Sequence, residues 1–225
     1  QRSKLPQVGT AIVTIASGDG LFDVFSSLGA TIIVPGGQTM NPSVRQLLQA
    51  VEFAPSNEII LLPNNKNIVL TAGQVQSLTQ KRVHVVPSRT IPQGISALLA
   101  FNYDLGVEEN AKAMSEALQT VSTIEVTRAV RKTEMDGTKV KRGQNIAIRN
   151  DKELISAGDD IIEVVLDALQ KSGAQEAELV TVYWGVEAET ATTEAIAARI
   201  RERYGIEVEL VDGGQPHYDY IISVE

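Results

Sequence analysis

The stretch "TAIVTIASGDGLFDVFSSLGATIIV", residues 10–34, decides how the rest of the chain is read. It opens on the short apolar run "TAIVTIA", as expected of a strand buried on both faces. After "SGDG", Leu21, Val24, Phe25 and Leu28 fall at i, i+3, i+4 and i+7, one face of a helix. "TIIV" (31–34) is then a second buried strand. Strand, helix and strand in such short compass make a β-α-β unit, and its two strands lie parallel.

The unit recurs downstream. Val44, Leu47, Leu48 and Val51 repeat the helical spacing, and "EIILL" (58–62) is a third strand. Ile68, Ala72 and Val75 mark another helix, "VHVV" (83–86) a fourth strand, and Ile95, Leu98 and Leu99 face one way on the helix after it. Four such units predict an α/β fold with a parallel sheet covered by helices. Right-handed crossovers place every strand-to-helix loop on one edge of that sheet. Val107, Ala111, Met114 and Leu118 share one face of a further helix over 106–120. The character then changes. Residues 122–156 carry turn pairs at Asp136-Gly137, Arg142-Gly143 and Asn150-Asp151, and Ile124 and Val126 alternate with polar neighbours. An antiparallel meander with one wet face is expected there. A helix from Asp159, the strand "ELVTVYW" (178–184), a helix over 189–204 and the strands "EVELV" (207–211) and "YIISVE" (220–225) complete the chain. Two lobes are expected: an N-terminal α/β lobe with a parallel sheet over 1–105, and a mixed α/β lobe over 106–225.

The chain has 225 residues, 43% of them hydrophobic, enough for a substantial core. A net charge of −8 argues against a nucleic-acid partner. No apolar run approaches the ~20 residues a membrane helix needs. "QRSKLPQVGT" lacks the apolar core of a signal peptide, and so polar a start is expected of a piece of something larger. Without cysteine, disulfides and thiolate metal sites are excluded. A cytoplasmic location is expected by elimination.

In an open parallel sheet, ligands bind outside the carboxyl ends of the strands. The loops at that edge hold Gln38, Thr39, Asn41, Asn64, Asn65, Lys66, Asn67, Arg89 and Gln93, with Gly36, Gly37 and Gly94. A second Gly-Gly-Gln corner near the C-terminus adds Gly213, Gly214, Gln215, His217 and Tyr218. Amides, hydroxyls and two cations near helix starts suit a carboxylate, a phosphate or a partner's polar loop. If the two lobes face each other, Gln38 and Gln215 border one cleft. Plainer roles compete for the same residues. Asn41-Pro42 looks like an N-cap followed by Pro at N1, and Thr90 and Pro92 could open the next helix in the same way. Asp159-Asp160, and likewise Glu187 and Glu189, suit helix starts. His84 lies inside an apolar strand and reads as a satisfied sheet histidine, while Tyr183 and Trp184 read as core. No catalytic constellation, phosphate loop or metal cluster is visible.

The stretches "ASGDGL", "GGQTMNPS", "LLPNNKNIVLTAGQ", "VPSRTIPQGISALLAF" and "GGQPHYDYIISVE", in this order, resemble the C-terminal, DegV-like region of the FakA family. These are the dihydroxyacetone-kinase-like kinase components of bacterial fatty acid kinase. The resemblance covers residues 8–225. It implies an ATP- and magnesium-dependent kinase domain elsewhere in the protein, and none of that domain's metal-binding aspartates has a match here. The family phosphorylates the carboxylate of a fatty acid held by a DegV-like carrier, for phospholipid synthesis. On that resemblance the present region is a non-catalytic domain with no cofactor of its own, which docks the DegV-like fatty-acid-binding protein. A homodimer through the full-length protein is a further expectation. The alternative is a module that itself binds a fatty acid or a small carboxylate or phosphate between its lobes. In DegV-like carriers, hydroxyl-rich loops after the second and third strands hold the lipid carboxylate. Here the loop 36–43 keeps Thr39, while the loop 63–67 puts Asn in place of the small hydroxyl residues. That departure suits a different ligand, or a partner's loop.

Overall fold

A computed structural model describes residues 8–135 and 137–225. The chain divides into two compact units. The first comprises the residues up to Ser17 and Leu21–Thr120. Its elements alternate as the apolar spacing predicts: β1 (Ala11–Ala16), α1 (Asp19–Ser27), β2 (Ile32–Pro35), α2 (Val44–Phe53), β3 (Glu58–Leu62), α3 (Lys66–Gln76), β4 (Arg82–Val85) and α4 (Ile91–Leu99). The strands lie parallel in the order β2-β1-β3-β4. β1 is buried at every position because it is central and covered on both faces. One face packs Leu47 and Val51 of α2 and Ile68, Ala72 and Val75 of α3 against Val13, Ile15, Ile59 and Leu61.

A fifth helix, α5 (Val107–Ala117), also groups with this unit, and the division falls after Thr120. This differs from the boundary at 105/106 expected above. Ser96 of α4 donates to Ala117 O at 3.0 Å and Gln93 Nε2 to Leu118 O at 3.3 Å, while Met114 and Leu118 are buried. The apolar face of α5 therefore belongs to the first core.

Helices α2, α3 and α4 start on side-chain caps, with one shift. Ser43, not Asn41, caps α2: its hydroxyl accepts from Gln46 N, and Gln46 returns a bond to Ser43 N at 2.9 Å. Pro42 instead packs beside Gly36. Thr90 caps α4, with Pro92 in the first turn.

The second unit comprises Val121–Glu225, and Gly18–Gly20 group with it. It contains β5 (Ser122–Arg128), the pair β6 (Thr133–Met135) and β7 (Thr138–Val140), then β8 (Asn145–Arg149), β9 (Glu153–Gly158) and α6 (Ile161–Lys171). β10 (Leu179–Trp184), α7 (Thr190–Tyr204), β11 (Glu207–Asp212) and β12 (Tyr220–Val224) follow. Six strands form one mixed sheet in the order β11-β10-β12-β5-β8-β9, with only β10 and β11 parallel; β6 and β7 pair separately. α6 and α7 cover one face, burying Val165, Leu166, Leu169, Ile196 and Ile200 against Ile124, Val126, Val180, Val182 and Ile222. Tyr183 is buried and Trp184 packs on this core.

β5, expected to be wet on one side, is buried on both. Thr123 and Glu125 lie inside the sheet between β12 and β8, and both have partners within the fold. Asn150 and Asp151 have φ of 50° and 56° in the three-residue connection from β8 to β9, where Lys152 N donates to Arg149 O at 3.0 Å. Gly137 and Gly143 also have positive φ; Asp136 of the first expected turn lies outside the described residues. Asp160 caps α6, whereas Glu189 precedes α7 without a side-chain cap bond.

Candidate functional site

The strand order of the first sheet reverses between β1 and β3. At such a switch point two neighbouring loops depart in opposite directions and leave the crevice in which open α/β sheets take ligands. Here a side chain fills it. Asn64, just beyond β3, is buried with φ of 55°, a conformation Asn tolerates better than most residues. Its Nδ2 donates to Thr14 Oγ1 at 2.8 Å and to Ile15 O at 2.9 Å, across the reversal. Its Oδ1 accepts from Ser88 Oγ at 2.8 Å, and its backbone N–H donates to the same hydroxyl at 3.0 Å. Both amide donors are thus used. Gly94 of α4 closes the other side: a Cβ there would fall 2.1 Å from Asn64 Oδ1.

The neighbouring residues divide between support and exposure. Asn65 caps α3 by accepting from Asn67 N at 2.8 Å, and its Nδ2 donates to Gln38 Oε1 at 2.8 Å. Gly37 and Met40 exchange backbone hydrogen bonds of 3.1 and 3.2 Å, so Gln38 and Thr39 form the tip of a tight turn. Gly36 lies so close beneath it that a Cβ would meet Met40 O at 2.9 Å. Thr39, Asn41, Lys66 and Asn67 are exposed.

Beyond β4 the same edge opens into a cleft of about 460 Å³. Arg89, Gln93 and Lys66 line it, with Val69, Leu70, Pro87 and Leu118 as apolar walls and Ser115 and Gln119 at the α5 end. No carboxylate lines it, in a chain of net charge −8. Gln93 Oε1 accepts from Arg89 N at 2.8 Å, which fixes the loop. Arg89 Nε is buried without a hydrogen-bond partner, while Lys66 has a partner. The α5 wall has no signal in the sequence, because a lobe boundary at 105/106 puts that helix on the other side.

The second Gly-Gly-Gln is a different corner. Gly213 N and Gly214 N both donate to Trp184 O, at 3.0 and 3.2 Å, and Gly214 has φ of 62°. Gln215 is buried, and its Nε2 donates to Tyr183 O at 2.9 Å while its Oε1 has no partner. Gly185 lets the chain pass: a Cβ there would lie 2.4 Å from Tyr218 O. His217 has φ of 82°, its carbonyl accepts from Thr127 Oγ1 at 2.8 Å, and its side chain is exposed against the Tyr218 ring. Burial pushes the Tyr218 hydroxyl above its ordinary range, and the charges of Glu125 and Asp151 add to this. Burial likewise raises the Asp219 carboxyl, with Arg128 opposing and Glu187 adding. His84 keeps a buried Nε2 without a partner, so the satisfied histidine expected there is not found.

The parallel first sheet followed by a mixed second sheet defines the class: the two-unit α/β fold of DegV proteins and of dihydroxyacetone kinase. A DegV family protein of Corynebacterium glutamicum superposes with a TM-score of 0.69 at 11% identity, covering 96% of both chains. The Fak B3 protein of Streptococcus pneumoniae, solved with linoleic acid, gives 0.67 at 12% identity, over 97% of this chain and 99% of its own. Dihydroxyacetone kinase of C. freundii, solved with AMP-PNP and Mg2+, gives 0.65 at 14% identity, over 99% of this chain and 50% of its own. Residues 11–225 match the FakA-like C-terminal family of fatty acid kinase, and the chain belongs to it. Uncharacterised proteins of Staphylococcus aureus strains USA300 and N315 are 39% identical over 225 residues, all of this chain and 41% of theirs. The chain thus spans about two-fifths of the length of those relatives. Among the described residues no helix is long and apolar enough to cross a membrane, and no three His, Asp or Glu side chains could hold a metal ion.

Proposed function

We propose that this chain is a non-catalytic docking domain of a fatty acid kinase, engaging the DegV-like protein that presents the fatty acid. The observation that carries the reading is Asn64. The chain shares the fold of a protein solved with linoleic acid, and the crevice at its own switch point is filled by an amide with both donors committed. A filled switch point suits recognition of a partner better than carriage of a ligand there. No carboxylate lines the first unit's cleft, so it offers magnesium no charged ligand. On this reading phosphoryl transfer belongs to a kinase domain outside these residues. Calorimetry of the intact protein against the purified carrier tests it. Micromolar binding is expected, lost when residues 8–225 are removed; equal binding without them would sink the proposal.

A second reading rests on the cleft. Apolar walls beside a guanidinium with a buried, unpartnered Nε suit an organic anion with an alkyl group, a fatty acid or a smaller carboxylate or phosphate. Titration with oleate and with inorganic phosphate, on wild type and Arg89→Ala, separates the candidates. Saturable binding that Arg89→Ala weakens supports it; no binding of either probe removes it.

A further inference from the structure

We propose that the β6–β7 ribbon and its base form a basic arm that docks on an anionic lipid bilayer. Residues 128–142 hold six Lys and Arg against two Asp and Glu, a local balance of six minus two, or +4. The chain as a whole carries −8, so the remaining residues sum to −12. The mean charge conceals this segregation.

The geometry concentrates the charge. Ala129 N donates to Gln144 O at 2.8 Å and Gly143 N to Ala129 O at 2.7 Å, which closes the base of the arm. Further out Thr133 pairs with Val140 and Glu134 with Lys139. Between these two fixed points lie Arg131 and Lys132 on the segment leading into β6 and Lys141 and Arg142 on the segment leaving β7. All four are exposed, and none belongs to an ion pair among the described residues. Cations gathered this closely repel one another, and among the described residues no ion pair relieves these four. The ribbon is held instead by Val140, buried with Ala129 and Leu154. That anchor turns one side inward and leaves the cations to solvent.

The chemistry of the arm selects the surface it meets. It has no aromatic side chain, so it lacks the stacking platform of single-strand binders. Among its described residues it has no large apolar anchor of the kind that centres a protein interface. Among its described side chains the exposed apolar one is Val130, 81% accessible, next to Arg131. Clustered, unpaired Lys and Arg with little apolar area match the diffuse negative potential of anionic headgroups.

Flotation of the intact protein with vesicles tests this, comparing pure phosphatidylcholine with a mixture containing about one-third phosphatidylglycerol. Binding to the anionic vesicles alone is expected, falling as salt rises. Arg131→Glu/Lys132→Glu should weaken it by about tenfold or more. Arg45→Glu/Lys112→Glu, the same charge change elsewhere, should leave most of it. Arg131→Lys/Arg142→Lys keeps the charge and should keep the binding, and thermal melts confirm that each variant folds. Three results would overturn the proposal: no binding at low salt, equal loss in the control pair, or binding to neutral vesicles as well. Carrier binding is measured separately, so failure of the arm is distinct from failure of the docking role.

Discussion

Asn64 ties β1, β3 and the loop after β4 through one amide. Replacing it with Ala takes a donor from Thr14 Oγ1 and Ile15 O and the acceptor from the Ser88 hydroxyl in a buried site. Thr14 keeps its bond to Leu62 O and Ser88 its bond from the residue 64 backbone. Each lost bond costs about 0.5–1.5 kcal/mol. Asn64→Ala is expected to lose about 3 kcal/mol, or roughly 6–12 °C in Tm for a chain of this size. Asn67→Ala, at an exposed position in the same motif, should stay within about 0.5 kcal/mol. Urea and thermal denaturation of the pair decide it. Asp219 makes a pH-dependent case. Burial raises its carboxyl above the ordinary 3.8, so the folded state holds the proton more tightly than the unfolded one. Its contribution is therefore present at pH below that ordinary value and is lost as pH rises through the raised one. Asp219→Asn, neutral throughout, should be more stable than wild type at pH 7, with the gain vanishing by about pH 3. Urea midpoints from pH 3 to 8 would show a constant difference if Asp219 were not the cause. At this scale the sequence is least informative. "PNNKN" shows residue types suited to binding, but not that the amides of Asn64 and Asn65 are turned inward.

The elements themselves are legible, because apolar spacing of 3.6 or a short apolar run states which face is buried before any contact is known. Their ends are less so. Asn41 and Ser43 are both good N-cap residues, and Asn41-Pro42 carries the better local signal. What decides is Pro42, which packs beside Gly36 under the turn 37–40 and so belongs to the loop rather than the helix. Ser43 then forms the reciprocal pair with Gln46. Ser43→Ala should destabilise by about 1 kcal/mol, and Asn41→Ala should be silent. A chemical denaturation series on the two single variants distinguishes these caps, and equal losses would return the cap to Asn41.

For the whole molecule, the order of units and the mixed second sheet follow from the pattern, whereas the division between them does not. A change from βα repeats to a meander marks a boundary, but a helix standing at the change can be claimed by either side. The apolar stripe of α5 is equally consistent with both, and only its contacts assign it. Val107, Met114 and Leu118 are buried, and Ala117 and Leu118 offer their carbonyls to Ser96 and Gln93. Removing α5 would therefore uncover those three side chains' sites on the first core, at about 1.5–3 kcal/mol of apolar burial for each. A fragment ending at Thr120 is expected to unfold cooperatively in urea. One ending at Leu105 should lack a sharp transition and bind a hydrophobic dye, because the lost burial approaches the whole stability of a domain of this size. If both fragments melted alike, α5 would be an appendage and the division would belong near 105 after all. If only the longer one folds, the last helix before the meander is part of the first unit's own core.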